Sequence, residues 1–345
     1  MANDTLEGNR RRQIPRQTSR STSLLDAIEG TLADFLAAQI AALDATDPAL
    51  GGLARTTRDL VLAGGKRLRP TFAYWGWRAV SGDPVEPVLP ALAALELMHT
   101  FALVHDDVMD ESATRRGRPT AHRTFERQHG ARFGESAAIL VGDLCLVWAD
   151  QLLARTPMPT ATLFAVRARY DRMRVEAVAG QYLDVLGEND PGQWSIDRAL
   201  LVARLKTASY TVQRPLQYGL ALAGPASPAV DDAFERYGAL VGEAFQLRDD
   251  LLGVFGDPAV TGKPAGDDLR SRKPTTLLLL ARQLGSGDVC ADAEAVAATG
   301  APEMVEAMIG ERVAAGVAVL AAAPIADEAR TALIDLAVRA TQRPA

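Results

Sequence analysis

Two short acidic segments hold most of the chemistry available to this chain. HTFALVHDDVMD (99–110) and GEAFQLRDDLLG (242–253) each run an apolar helical stretch into an Asp-Asp pair. Asp106 and Asp110 are four residues apart, so on a helix they share one face about 6 Å apart along the axis, with Asp107 beside them. Like charges that close repel, and a divalent cation with hard oxygen ligands is the cheapest relief. Carboxylates without nearby cysteine or a paired-histidine motif suit Mg2+ better than Zn2+, and Mg2+ usually shares its shell with substrate phosphates. Taken alone, the DDxxD spacing fits an ordinary solvated acidic helix end equally well.

Its neighbours add weight. SATRRGRP follows directly and places Arg115 and Arg116 just past the carboxylates. Carboxylates for a metal and guanidinium groups for phosphate oxygens are what a diphosphate needs. Asp249 and Asp250 form a second acidic pair, and Lys263 and Lys273 lie in the long segment beyond it. Upstream, GGKRLRP (64–70) packs Lys66, Arg67 and Arg69 behind two glycines, as where backbone and cations meet an anion at a helix end. The repeated acidic segment suggests two helices facing each other across a cavity, each presenting carboxylates at one end.

The elements that must position these groups read as helices. The 345 residues are 48% hydrophobic but only 6% aromatic, so the apolar mass is mostly Ala, Leu and Val, which favours helices over a β-sandwich. From Leu24 onward, Leu25, Ile28, Leu32, Leu36, Ile40 and Leu43 recur at three- and four-residue steps, with Phe35 beside them. Helix-length blocks then alternate with breakers such as SGDPVEP (81–87), RTPMPT (155–160) and GENDPGQ (187–193), with no hairpin signal between them. The expected class is all-α, with a disordered N-terminal arm over 1–23 and one helical domain over 24–345. A long irregular stretch at 256–274 is expected to be functional or disordered.

Composition also narrows the partners. With 37 basic against 43 acidic groups, the net charge of −6 argues against nucleic-acid binding. Cys145 and Cys290 are the only cysteines, too few for a disulfide framework or a Cys-based zinc site, which points to a reducing, cytoplasmic compartment. No uninterrupted apolar run reaches about 18 residues, so no integral membrane segment is expected.

These residues resemble the polyprenyl diphosphate synthases, isoprenyl transferases of the class I all-helical type. The resemblance covers nearly everything from about residue 30 onward. GGKRLRP, HDDVMD-x4-RRG (105–117), VGDLCL (141–146), GQYLDV (180–185), LKTASY (205–210) and FQLRDD (245–250) occur in the family's order. Within the family the chain looks most like the bacterial geranylgeranyl diphosphate synthases. The resemblance implies a single large helical bundle around a central cavity, working as a homodimer. It implies that Asp106 and Asp110, with Asp107 in support, hold two Mg2+ on an allylic diphosphate, and that Asp249, with Asp250, holds a third. Arg115, Lys206 and Lys263 would neutralise that diphosphate, with Thr207 and Gln246 lining the site. Lys66, Arg69, His99 and Arg116 would bind the diphosphate of isopentenyl diphosphate. The implied reaction is Mg2+-dependent head-to-tail condensation of isopentenyl diphosphate with an allylic diphosphate.

Two points separate this chain from the family pattern or bear on product length. Many relatives carry a third Asp where this chain has Gly253, which cannot ligate metal. Full activity with a weaker or altered Mg2+ requirement is expected, while Asp249→Ala should cost most of the activity. Phe101, five residues before Asp106, with the small Ala102 next to it and no insertion in DDVMD, resembles the arrangement of C20 synthases. Helix geometry puts Ala102 and Met98 nearer the Asp106 stripe, so the Phe101 role rests on resemblance and Met98 is a second wall. His105, His122 and His129 read as packing or surface groups, and Tyr210, Trp75, Trp77, Trp148 and Trp194 as packing. Other readings are a farnesyl or longer-chain synthase, a class I terpene cyclase, and a non-catalytic synthase subunit. A cyclase leaves GGKRLRP and Arg116 without a task, and a silent subunit would have lost metal ligands that are present here.

Overall fold

The computed structural model describes residues 23–190, 193–225, 227–257, 266–271 and 273–342. The expected N-terminal arm therefore lies outside the described residues, apart from Ser23. That serine starts α1 (Leu24–Thr46) as its cap: its hydroxyl accepts the Asp26 N–H at 3.2 Å while the Asp26 carboxylate accepts the Ser23 N–H at 3.3 Å. α1 buries Ile28, Leu32, Phe35 and Leu36 of the anticipated stripe and leaves Leu25 exposed.

α2 (Pro48–Val61) and α3 (Leu68–Arg78) lead to α4 (Leu89–Met109), the inner helix. Every side chain of α4 from Ala91 to Met98 is buried, Glu96 included. A helix apolar on all sides must be enclosed, and α6 (Ala131–Ala154) packs along it. α4 with its leading turn (Glu86–Met109) and α6 are both apolar and long enough by composition to cross a membrane, although neither is an unbroken apolar run. In the fold, 61% and 50% of an apolar 18-residue stretch within each are buried inside the protein.

Between α4 and α5 (Ala121–His129) the backbone forms a two-residue antiparallel pair, Thr114–Arg115 with Arg118–Pro119. No hairpin was expected there, because arms of two residues are too short to show alternation. The turn has positive φ at both central residues, Arg116 (52°) and Gly117 (71°), the combination that matches strand twist in a tight hairpin.

α7 (Thr160–Asn189) and α8 (Ile196–Val202) precede a π-helix over Ala203–Gln213, which continues as α9 (Arg214–Leu222). α10 (Pro228–Phe255) packs against the π-helix. Helical periodicity does not distinguish α from π turns, so this widening was not legible in the sequence. Glycines make room for it: a Cβ at Gly180 of α7 or at Gly242 of α10 would collide with the backbone of Lys206 or Ala208. The C-terminal helices Ala301–Ala322 and Asp327–Thr341 then cover the outer side of α10, where Tyr237 donates to the Leu333 carbonyl at 2.7 Å.

Candidate active site

The last turn of α4 presents the first acidic cluster, with Asp110 capping the helix. Asp106 Oδ1 accepts from Lys206 Nζ and from Gln181 Nε2, each at 3.0 Å, and its Oδ2 accepts from Arg115 at 3.2 Å. Burial pushes its pKa up, but the charges of Lys206, Arg115 and Lys273 outweigh that and hold Asp106 well below the usual carboxylate range. Asp110 shifts the other way, raised by burial and by the Asp106 charge. Lys273 Nζ lies 3.6 Å from its Oδ2, and its buried Oδ1 has no partner among the described residues. One carboxylate is thus a settled anion and the other is short of positive charge. Asp107 is buried and accepts from Arg115 Nε at 2.7 Å, which fixes that arginine beside the cluster.

α7 adds residues the sequence reading did not assign. Asp184 accepts from Lys206 Nζ at 2.5 Å and from Lys273 Nζ at 3.1 Å, and Glu188 takes the same Lys273 at 3.0 Å. Gln181, Asp184 and Glu188 stand at i, i+3 and i+7, one polar stripe on α7, and that spacing was the available signal.

The second acidic cluster lies at the end of α10. Thr207 Oγ1 donates to Gln246 Oε1 at 2.5 Å, and Gln246 Nε2 donates to Asp250 Oδ1 at 2.8 Å. Asp250 Oδ2 accepts the Thr276 N–H at 3.2 Å, at the start of the helix Thr276–Leu284. Burial pushes Asp250 up to about 8, with the charges of Asp268 and Asp249 adding to the effect. Asp249 is the more accessible member of the pair. A Cβ on Gly253 would collide with the Asp268 carboxylate. The Asp268 carboxylate of the next segment thus takes the space beside Gly253. Lys263 lies outside the described residues.

A basic cluster forms beside these. Arg116 donates to the Gly64 carbonyl, and Lys66 is exposed on the same loop. Arg69 donates to Thr211 Oγ1 at 2.8 Å and places its guanidinium 3.9 Å from the centre of the Tyr210 ring. The Tyr210 hydroxyl lies 3.0 Å from His99 Nδ1. Burial, then the charges of Arg69, Arg116, Arg115 and Arg67, lowers the His99 pKa well below its usual value, so the imidazole is neutral at pH 7. Tyr210, expected only to pack, joins this cluster to the Lys206–Thr207 segment.

Of the expected pocket-floor residues, Phe101 and Ala102 are half-buried and Met98 is wholly enclosed in the core. Phe101 stands edge-on to His105, with ring centres 4.8 Å apart. His105 in turn donates to the Ile139 carbonyl of α6 at 2.9 Å.

Residues 52–309 match the family described as polyprenyl synthetase. The chain belongs to the polyprenyl synthetase family. The geranylgeranyl diphosphate synthase of Mycobacterium tuberculosis is 38% identical over 255 residues, 73% of this chain and 69% of that protein. The geranylfarnesyl diphosphate synthase of Aeropyrum pernix is 36% identical over 228 residues, 64% of this chain and 68% of that protein. The solved geranylgeranyl pyrophosphate synthase of Corynebacterium glutamicum, complexed with isoprenyl diphosphate and magnesium, matches with a TM-score of 0.88 at 40% identity, covering 94% of this chain and 99% of that one. As a polyprenyl synthetase this chain is a prenyltransferase with the all-α fold of the isoprenoid synthases. Members of the family use a divalent metal. Among the described residues no three Asp, Glu, His or Cys side chains already gather around one ion position. The all-oxygen donor set, the orphaned Asp110 Oδ1 and the buried Asp250, raised by desolvation, nevertheless fit a hard cation that shares its shell with phosphate oxygens.

Proposed function

We propose that this polyprenyl synthetase catalyses Mg2+-dependent head-to-tail condensation of isopentenyl diphosphate with allylic diphosphates, with geranylgeranyl diphosphate (C20) as the main product. The observation that carries this reading is the pairing of two distinct polar clusters across Tyr210. One joins the Asp106–Asp110 and Asp249–Asp250 pairs through Lys206, Lys273 and Thr207. The other holds Lys66, Arg69, His99 and Arg116, and the carboxylates beside it, Glu29 and Glu96, are paired with Arg67. Two diphosphates need two such sites, whereas a terpene cyclase has use for one.

In this reading Asp106 and Asp110 hold two Mg2+, and Asp249, with Asp250 and Asp268 beside it, holds the third. Bound Mg2+ supplies charge neutralisation of the leaving diphosphate. Burial opposes the Lys206 charge, but Asp106 and Asp184 raise its pKa, so it is a permanent cation for the departing oxygens. Arg115, fixed by Asp107, acts on the same anion, and Lys263 is assigned there by resemblance. As the allylic C–O bond breaks, the oxygens of Thr207 and Gln246 orient their dipoles toward the carbocation. The isopentenyl double bond forms the new C–C bond, and the proton it sheds goes to the released diphosphate. Neutral His99 and the cations Lys66, Arg69 and Arg116 hold the second diphosphate.

Phe101 forms the floor of the product pocket, with Ala102 beside it and Met98 behind. Residues from Leu24 onward serve as one catalytic domain, and a second copy pairs with it through α6 and α7. Those helices expose Ile139, Leu140 and Val147, and Phe164, Val175, Val178 and Tyr182, apolar side chains that a second copy would cover. The two free thiols fit a reducing, cytoplasmic setting.

Product analysis tests the reading, with Mg2+, isopentenyl diphosphate and each of the C5, C10 and C15 allylic diphosphates. A dominant C20 diphosphate is expected, and Phe101→Ala should shift the profile to longer chains. Absence of elongation with every primer would overturn the reaction, and an unchanged profile in Phe101→Ala would remove Phe101 as the floor.

A further inference from the structure

Arg67 stands in the middle of GGKRLRP yet does not share the environment of its neighbours. Lys66 is exposed on the loop, whereas the Arg67 side chain is only 3% exposed. Its Nη1 donates to Glu96 of α4 at 2.6 Å, its Nη2 to the Val61 carbonyl at the end of α2 at 3.1 Å, and its Nε and Nη2 reach Glu29 of α1 at 3.4 Å. One guanidinium thus ties three helices together at the start of a fourth, α3. Its own backbone is left-handed, φ 47° and ψ 38°, a conformation that a residue with a Cβ adopts only under constraint.

We infer that the buried Arg67–Glu96 pair is a positioning device for the isopentenyl diphosphate subsite: it sets the 64–69 loop so that Lys66 and Arg69 meet the diphosphate, while Arg67 itself does not touch it. This inference rests on the subsite assignment proposed above. Stability alone is a poor account of the pair. Both charges are desolvated, Glu96 Oε1 is buried with no partner among the described residues, and the Arg67 backbone is strained. A well-packed apolar pair often does as well or better in such a place. All four proposed ligands, however, lie close to these two residues in the chain or through the 64–69 loop. Lys66 and Arg69 flank Arg67 in the chain. His99 follows Glu96 by one turn of α4. Arg116 donates to the Gly64 carbonyl at the head of the loop.

The experiment is steady-state kinetics on the full chain with Mg2+, varying each substrate in turn, for Arg67→Met, Arg67→Lys, Glu96→Gln and Lys66→Ala, with a thermal melt of each. The KM for isopentenyl diphosphate should rise at least tenfold in Arg67→Met, while the allylic KM stays within twofold. Arg67→Lys, which keeps the charge but not the three-way fork, should fall between wild type and Arg67→Met. If Arg67→Met does not fold, Glu96→Gln, which keeps the shape, decides by the same split. An unchanged isopentenyl diphosphate KM, or both KM values and kcat moving together with the melting temperature, would overturn the inference. Lys66→Ala separates the two failures. If it raises the KM and the Arg67 and Glu96 variants do not, only the positioning role falls. If it leaves the KM unchanged, the subsite assignment falls and takes the inference with it.

Discussion

Asp106, Asp110 and Asp250 have the same side chain in three electrostatic settings. Lysines and an arginine hold Asp106 as an anion, burial and then the Asp106 charge raise Asp110, and burial pushes Asp250 up to about 8. A similar dependence on surroundings explains Gly253. An Asp there needs room that the Asp268 carboxylate already occupies. Gly253→Asp, although it restores the common family pattern, pushes aside only the end of a flexible side chain, so its cost in stability should be small, under about 1 kcal/mol, while the further like charge beside Asp249, Asp250 and Asp268 should lower activity. Combining it with Asp268→Gly should recover most of the activity. Melting temperatures and specific activities of the two variants check this, and a fully active Gly253→Asp single variant would contradict it.

At the scale of elements, the π-helix is the unusual part, because it carries Lys206, Thr207 and Tyr210 on a turn wider than an α-helix allows. Its C-terminal end is secured from α7. Glu176 accepts from Arg214 Nε at 2.8 Å and Nη2 at 2.9 Å, and also from Ser209. Arg214, almost fully buried, donates in addition to Glu235 of α10 at 2.8 Å. Burial raises the Glu176 pKa, but the hydrogen bonds from Arg214, Ser209 and Arg172 more than reverse this and leave it below 4.5. A carboxylate depressed in the folded state contributes stability above its unfolded value and loses it as pH falls through the folded one. Glu176→Gln should thus cost roughly 2 kcal/mol at neutral pH, by weakening the pairing of a buried arginine. The gap from wild type should narrow as pH drops below 4.5. Melting curves of both proteins across that range provide the check, and a gap independent of pH would count against the Glu176 anion as the anchor.

For the whole molecule, the outward faces of α6 and α7 matter most. Arg167 and Arg174 of α7 both pair with Asp150 of α6, at 3.1 Å, which ties the two helices together near their junction. Phe164 (71% exposed) and Val175 (68%) remain uncovered on α7. Burying such a surface against a second copy removes apolar area from water at about 25 cal/mol per Å2. The wild-type protein should sediment as a dimer, and Phe164→Asp with Val175→Glu should shift it toward monomer. A monomeric wild type at micromolar concentration would refute the pairing.

Much of this architecture was legible because helices are specified locally. A 3.6-residue period placed α1 and its buried Ile28, Leu32 and Leu36, and four-residue spacing alone put Asp106 and Asp110 on one face of α4. The order of the motifs likewise marked the family. What remained hidden depends on contacts between residues far apart in the chain. No local rule says that Lys206 is shared between Asp106 and Asp184, that Asp268 comes to lie against Gly253 of α10, or that Arg67 leaves its neighbouring cations for Glu96. The π-helix was equally hidden, since its widened turn is seated by glycines on α7 and α10 rather than by its own residues. The sequence by itself determined which residue types sit on which helical face, because that follows from backbone periodicity. Only the tertiary structure decided which charges meet, because burial and helix packing select the partners and set the strength of each interaction.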